Sequence, residues 1–325
     1  MTESRQGHPR RSLFFRVQGE SRLAPAWPRV ARATLIAVAV TFAERVLKLD
    51  TYSLTATPFT IMGVAISFFL GFRNNTAYTR FWEARTLWGR LINTSRSFAR
   101  QTLTQIVPPD APDSAGADRT ALDKGVTASN QAVQTFQDGV VQGIIGYARA
   151  LRHHLRDTDP FPDLAGCFSP EEIGWLRGQS NVPLAIVQLL ARCLQAARRQ
   201  GWVGDMELLI LEGSLTQFTD IQGGCERIKN TPIPVTYAQL SHRIVAFFCY
   251  ALPFGIFESA KLLTPLVVFL VSYAFFGLDT LGEEIADPFG TEPHDLPLPV
   301  FAETIEKNLR ELLTARELPY SSLFE

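Results

Sequence analysis

The sequence predicts an all-α membrane protein, with apolar helices in two close pairs and a long helical domain between the pairs. Three observations predict it. Apolar segments cluster at residues 33–72 and again at residues 244–278. Residues 73–243 place apolar side chains at helical spacing, with arginines on the other faces. Nowhere does a run of β-branched residues alternate with polar ones, as a half-buried strand would require.

Composition narrows the function. The chain has 325 residues, 31 Lys+Arg and 32 Asp+Glu, for a net charge of −1. A nucleic-acid binder working through bulk positive charge is excluded by that balance, and no nucleic-acid partner is expected. Charged residues make up 19%, below the roughly 25% of soluble domains. The four cysteines, Cys167, Cys193, Cys225 and Cys249, are far apart with no C-x-x-C, which argues against a disulfide scaffold or a zinc ribbon.

The elements follow in chain order. Residues 1–32 hold seven arginines against two acids and no signal-peptide cleavage pattern, so the N-terminal arm reads as a basic cytoplasmic flank. The first apolar segment is Ala33–Ala43, extendable over Trp27–Leu47; the second is Pro58–Phe72. The third is Ile244–Phe257 and the fourth Leu262–Leu278. Each falls short of the roughly 20 apolar residues of a single span, so buried helices of a soluble core stand as the plainer reading segment by segment. Three features favour the membrane: the short connections within each pair, the 23 phenylalanines, and Trp27, Tyr52 and Arg73 at segment ends, where interfacial anchors sit.

Loop charge sets the orientation. The connections at Leu49–Ser53 and Glu258–Lys261 hold one lysine between them, whereas Arg73, Arg80, Arg85, Arg90, Arg96 and Arg100 follow the second segment closely. The short connections therefore face out, and both termini and the long middle face the cytoplasm. Within the middle, Asn130–Leu155, Val182–Arg199 and Met206–Arg227 are helix candidates, residues 107–118 form a Pro/Ala/Asp loop, and the two prolines of TPIP (231–234) end the domain. From Asp279 onward eleven acids face three basic residues, and residues 304–313 form a short amphipathic helix; this tail could neutralise the arginine-rich middle within one chain or between neighbours. The expected division is a basic arm (1–26), transmembrane helices 1 and 2 (27–72), a cytosolic helical domain (73–236), transmembrane helices 3 and 4 (237–280) and an acidic cytosolic segment (281–325).

No reaction chemistry is nominated. His8, His153, His154, His242 and His294 form no metal-ligand spacing, and there is no phosphate-binding loop, dinucleotide fingerprint or nucleophile elbow. No catalytic residue, metal or cofactor is expected, and the chain is not expected to be an enzyme.

The second apolar helix carries one feature of interest. Val64, Phe68 and Phe72 recur at i, i+4 and i+8, on one face over about 12 Å. One reading is a packing stripe. The other is a pore lining, in which each residue becomes a hydrophobic ring that gates ions by dewetting. Gly63 and Gly71 leave room for close helix approach, and Arg73, Asn74 and Asn75 follow as polar groups for an inner mouth.

Three blocks carry a resemblance. LGFRNNTAYTRFWEARTLWGRL (70–91), GCERIKNTPIPVTYAQLSHR (224–243) and LDTLGEEIADPFGTEPHDLPL (278–298) together resemble the bestrophins in their bacterial form. The resemblance implies a homopentamer around one central pore, with four membrane helices per subunit and a large cytosolic helical bundle. It implies that Val64, Phe68 and Phe72 form the neck. It also implies a second, cytosolic aperture, for which Ile186, after Pro183, is the candidate, with Leu184 next to it. Eukaryotic bestrophins are calcium-activated anion channels with a dense acidic run after the corresponding turn. Here Asp287–Gly290 is followed by Thr291, Glu292, Pro293, His294, Asp295 and Leu296, too few carboxylates for the six to eight oxygens that calcium takes. The resemblance to the bacterial branch therefore implies conduction of monovalent cations, sodium or potassium, without calcium gating, in the inner membrane and in contact with lipid. Glu258 and Asp50 are candidate mouth acids, or merely exposed ones. An anion channel of the eukaryotic kind and a non-conducting, membrane-anchored interaction protein are the alternatives.

Overall fold

The computed structural model describes residues 26–46, 55–109 and 119–315. The expectations for the basic arm, the connection holding Asp50, most of the loop at 107–118 and the last ten residues lie outside these. Among the described residues the regular elements are all helices: α1 (Trp27–Val46), α2 (Ala56–Gln105), α3 (Arg119–Arg156), α4 (Phe161–Leu164), α5 (Pro170–Arg177), α6 (Val182–Arg199), α7 (Asp205–Asn230), α8 (Val235–Ala260), α9 (Thr264–Glu284) and α10 (Leu298–Ala315), with a 3₁₀ turn at Lys261–Leu263. The all-α expectation holds. The helices group into two compact units, one formed by residues 1–70 and 241–280, the other by residues 71–240 and 281–325.

The first unit is built from apolar helices with small contact residues. α1 buries Val30, Ala33, Ala37 and Thr41, one residue per turn, and small side chains there let its neighbours approach closely. Ile66 and Leu70 of α2, Phe248, Cys249 and Leu252 of α8, and Val268 and Phe276 of α9 complete the core. At one end Trp27 lies 6.3 Å from the Phe269 ring and 5.7 Å from that of Tyr273. α8 contains Pro253, which removes one helical hydrogen bond, and Gly255, whose missing side chain admits the Phe59 ring of α2. The helices are nonetheless apolar outside as well. Leu35, Phe42, Ile61, Phe247, Leu266 and Leu270 are all exposed. Helical stretches long and apolar enough to cross a membrane lie within Ala56–Gln105 and Thr236–Glu284, and only 17% and 28% of their apolar windows are buried. That much exposed apolar surface is costly in water and calls for lipid or neighbouring protein.

The second unit has an ordinary inside-out division, with a core of Trp88, Leu91 and Phe98 from α2, Ile144, Tyr147 and Leu151 from α3, Ile186 and Leu190 from α6, and Leu211, Leu215 and Phe218 from α7. Tyr147 Oη donates to the Phe218 carbonyl at 2.8 Å, and the two rings meet edge to face at 5.0 Å. Burial pushes the Cys225 thiol up to about 12, so this cysteine is a small apolar core residue rather than a nucleophile. Asn181 caps α6, its Oδ1 accepting from the Leu184 amide at 3.1 Å, and Ser169 with Glu172 forms a capping box on α5. The break at residues 231–234 falls between α7 and α8, where the two prolines place it.

Candidate functional site

The site begins with α2. After Pro58 in its first turn, nothing in the sequence up to Gln105 stops a helix, and the element runs unbroken for 50 residues, about 75 Å. Three hydroxyls in and just after its apolar stretch serve its own backbone: Ser67 donates to the Gly63 carbonyl at 2.8 Å, Thr76 to that of Phe72 at 3.0 Å and Thr79 to that of Asn75 at 2.8 Å. In an apolar surrounding these three hydroxyls need no other partner.

Helical phase separates two faces. Ile66, Leu70, Arg73 and Ala77 are buried, at 4%, 0%, 3% and 0% exposure. At about 100° per residue they lie on the side opposite Val64. Val64, Phe68 and Phe72 are exposed at 52%, 65% and 69%, within about 80° of one another. The three neck candidates thus share one solvent-facing stripe of apolar side chains on a helix whose other face is packed.

The three residues chosen for the inner mouth separate. Asn75 is exposed and in phase with the stripe. Arg73 points the opposite way, into the protein, which corrects the expectation that it stands with Phe72 at a mouth. Asn74 is half-buried, its amide close against the backbone of Gly282 on α9. The physical reason is periodicity: consecutive residues on a helix are about 100° apart, so a polar triplet cannot share one face.

The aperture candidates also divide. Ile186 has no exposure and belongs to the core of the second unit, so within its own subunit it has no surface with which to narrow an opening. Leu184, two residues earlier, is 46% exposed in the first turn of α6. Sequence reasoning passed over Met206, Leu209 and Ile210, which are 71%, 66% and 50% exposed at the start of α7. A signal was present: they fall off the stripe of Leu208, Leu211, Leu215 and Phe218 that packs this helix.

A polar network holds the start of α6. Glu226 Oε1 on α7 accepts from Gln222 Nε2 at 2.7 Å and Asn181 Nδ2 at 3.1 Å, and lies 2.9 Å from His154 Nε2. Burial pushes the Glu226 carboxyl up, but these hydrogen bonds and the His154 charge outweigh it and hold the group below the usual carboxylate range. In the segment after α9, Arg156 donates to the Phe289 carbonyl at 3.2 Å and the Leu296 carbonyl at 3.3 Å, while Asp295 Oδ2 accepts from the Glu292 amide at 2.7 Å. These carboxylates and carbonyls are engaged by the chain's own donors. Among the described residues no cluster of three His, Cys, Asp or Glu side chains is placed to hold a metal.

The comparisons agree with this architecture. The family described as Bacterial/Fungal Bestrophin protein matches residues 1–311. A Ralstonia nicotianae protein named voltage-dependent anion channel-forming protein is 38% identical over 263 residues, 81% of this chain and 79% of its own. YneE of Escherichia coli K12, named in the same way, is 36% identical over 265 residues, 82% of this chain and 79% of its own. A crystal structure of a bacterial bestrophin homolog from Klebsiella pneumoniae superimposes with a TM-score of 0.77 at 30% identity, covering 89% of this chain and 98% of that one. Sequence and fold converge: the chain belongs to the bestrophin family, in its bacterial and fungal branch.

Proposed function

We propose that this protein is a homopentameric ion channel of the bacterial inner membrane in which α2 of each subunit lines a hydrophobic neck of Val64, Phe68 and Phe72. The observation that carries the reading is the exposed apolar stripe on a helix whose opposite face is buried. In water such a stripe is a liability; repeated around a symmetry axis, it becomes stacked apolar rings that resist wetting and block ions until the neck widens. α1, the first part of α2, α8 and α9 supply four membrane helices per subunit, the remaining helices form the cytosolic bundle, and both termini face the cytoplasm.

The ion preference departs from the sequence-based expectation of sodium or potassium. Relatives at 36–38% identity are named for anion channels, and this supports an anion-conducting reading over the cation one. The hydrophobic neck itself carries no charge sign. A second constriction, if the bundle forms one, takes Leu184 or Met206, the exposed apolar residues at the starts of α6 and α7.

The test is a reversal potential of purified protein in a planar bilayer under an asymmetric NaCl gradient. The account expects current that reverses near the chloride potential. Reversal near the sodium potential restores the cation reading, and sustained silence of an assembled pentamer, including one with an alanine-widened neck, favours a membrane-anchored interaction protein.

A further inference from the structure

The exposed face of α2 does not end at the neck. Within the second unit, Asn75, Thr79, Trp82, Thr86, Arg90, Asn93, Ser97, Arg100 and Thr104 are all exposed. Helical phase places them within about 80° of one another, in the same sector as Val64, Phe68 and Phe72. Over about 38 Å from Asn75 to Arg100 this sector holds two arginines and no carboxylate.

Of the other arginines of this stretch, Arg96 is exposed but lies outside the sector, and Arg73, Arg80 and Arg85 have structural work. Arg73 is buried, Arg80 donates to the Ile228 carbonyl at 2.7 Å and to that of Thr231, and Arg85 lies 4.8 Å over the Phe301 ring. The guanidinium groups of Arg90 and Arg100 make no hydrogen bond or ion pair among the described residues; Arg100 engages Thr104 through its backbone carbonyl alone. Two acids beside this face have basic partners of their own. Glu83, at the edge of the sector, pairs with Arg227, and Glu311, which shares a groove with Arg96 and Arg100, lies 4.0 Å from Lys307. A pentamer multiplies each unneutralised guanidinium into a ring. Rings of like charge pressed against one another would repel; rings facing a water-filled path draw in mobile counter-ions.

We infer that this face of α2 is the wall of the ion path beyond the neck, and that Arg90 and Arg100 set its preference for small monovalent anions. The inference rests on the channel reading and adds the residues that decide the charge sign, which the apolar neck cannot. The guanidiniums raise the local anion concentration and repel cations, an effect that weakens as the Debye length shrinks with salt.

The test compares the wild type with Arg90→Gln/Arg100→Gln and Arg90→Glu/Arg100→Glu, each also with the neck residues replaced by alanine so that a closed gate does not hide the result. Arg177→Gln on α5 serves as a control, and light scattering checks assembly. The expected result is a fall of at least about threefold in the chloride-to-sodium permeability ratio for the neutral pair, a larger fall for the acidic pair, and a loss of conductance greater at 20 mM salt, where the Debye length is about 20 Å, than at 1 M, where it is about 3 Å. Conducting variants that keep the wild-type ratio and salt dependence overturn the inference while the channel reading stands. Variants that no longer assemble also overturn it, because the face is then a subunit contact. A neck-widened wild type that assembles and passes no current overturns the channel reading, and this inference with it.

Discussion

His242 Nδ1 of α8 lies 2.5 Å from Oδ2 of Asp279 on α9, and the Asp279 side chain has no exposure at all. Ser241 donates to the same carboxylate at 3.3 Å, and Arg29 of α1 approaches within 3.6 Å. One buried acid thus joins three helices of the apolar unit. Removing one partner of a buried ion pair leaves the others desolvated without compensation, at a cost of about 3–5 kcal/mol. Asp279→Ala is therefore expected to lower the thermal midpoint of the detergent-solubilised protein strongly, and Asp279→Asn, which keeps hydrogen-bonding capacity, to lower it less. Equal midpoints for the two variants and the wild type would show that this junction contributes nothing.

Arg73 and Asn75 test the two faces of α2 against each other. Arg73 is 3% exposed and Asn75 is on the exposed stripe. Arg73→Ala is expected to cost about 2 kcal/mol or more, through the loss of a charged group from a packed environment, and to reduce the yield of assembled protein. Asn75→Ala is expected to stay within about 0.5 kcal/mol of the wild type and to change single-channel conductance instead. A stable, well-assembled Arg73→Ala with altered conductance would return Arg73 to the ion path.

This division shows what the sequence made legible. The helix ranges followed from apolar periodicity and proline breaks: α6 occupies Val182–Arg199 as expected, and α1 ends within a residue of its expected limit. The shared face of Val64, Phe68 and Phe72 was legible because three bulky apolar residues repeat at i+4; its exposure was not, because that depends on which neighbours pack against α2. The continuity of α2 was hidden by the change from apolar to charged composition near Arg73, which suggests a boundary but breaks no hydrogen bond. Ile186 and Leu184 differ only in which side of α6 meets the core, and that depends on partners from α3 and α7 far away in the chain.

Ile186 and Leu184 give the corresponding contrast in the second unit. Ile186→Ala opens a cavity in a packed core and is expected to destabilise by about 2–5 kcal/mol, whereas Leu184→Ala should cost less than about 1 kcal/mol. Chemical denaturation of the purified protein reads both. A neutral Ile186→Ala with a changed current would mean that the residue faces an opening after all.

The depressed carboxylates of the second unit predict a pH dependence. Hydrogen bonding by His153, with Arg152 alongside, lowers Asp163; at Glu226 and Glu306, burial pushes the carboxyl up, but hydrogen bonds and opposite charges outweigh it and leave the group low. A carboxyl held low in the folded state stabilises it at pH values above its unfolded pKa, near 4, and that contribution disappears as pH falls through the folded value. The thermal midpoint should therefore drop as pH is lowered from about 5 to about 3, and Glu226→Gln should make the drop shallower. A midpoint that rises on acidification in this window would contradict the assignment.

The most direct measurement is the single-channel behaviour of the Val64→Ala/Phe68→Ala/Phe72→Ala variant beside the wild type in the same planar bilayers. All three side chains are exposed on the subunit, so truncating them should leave folding and assembly intact. The account predicts an assembled protein whose open probability or conductance rises about tenfold, because the dewetted barrier is gone. An assembled triple variant that conducts as the wild type does would contradict a hydrophobic neck on α2.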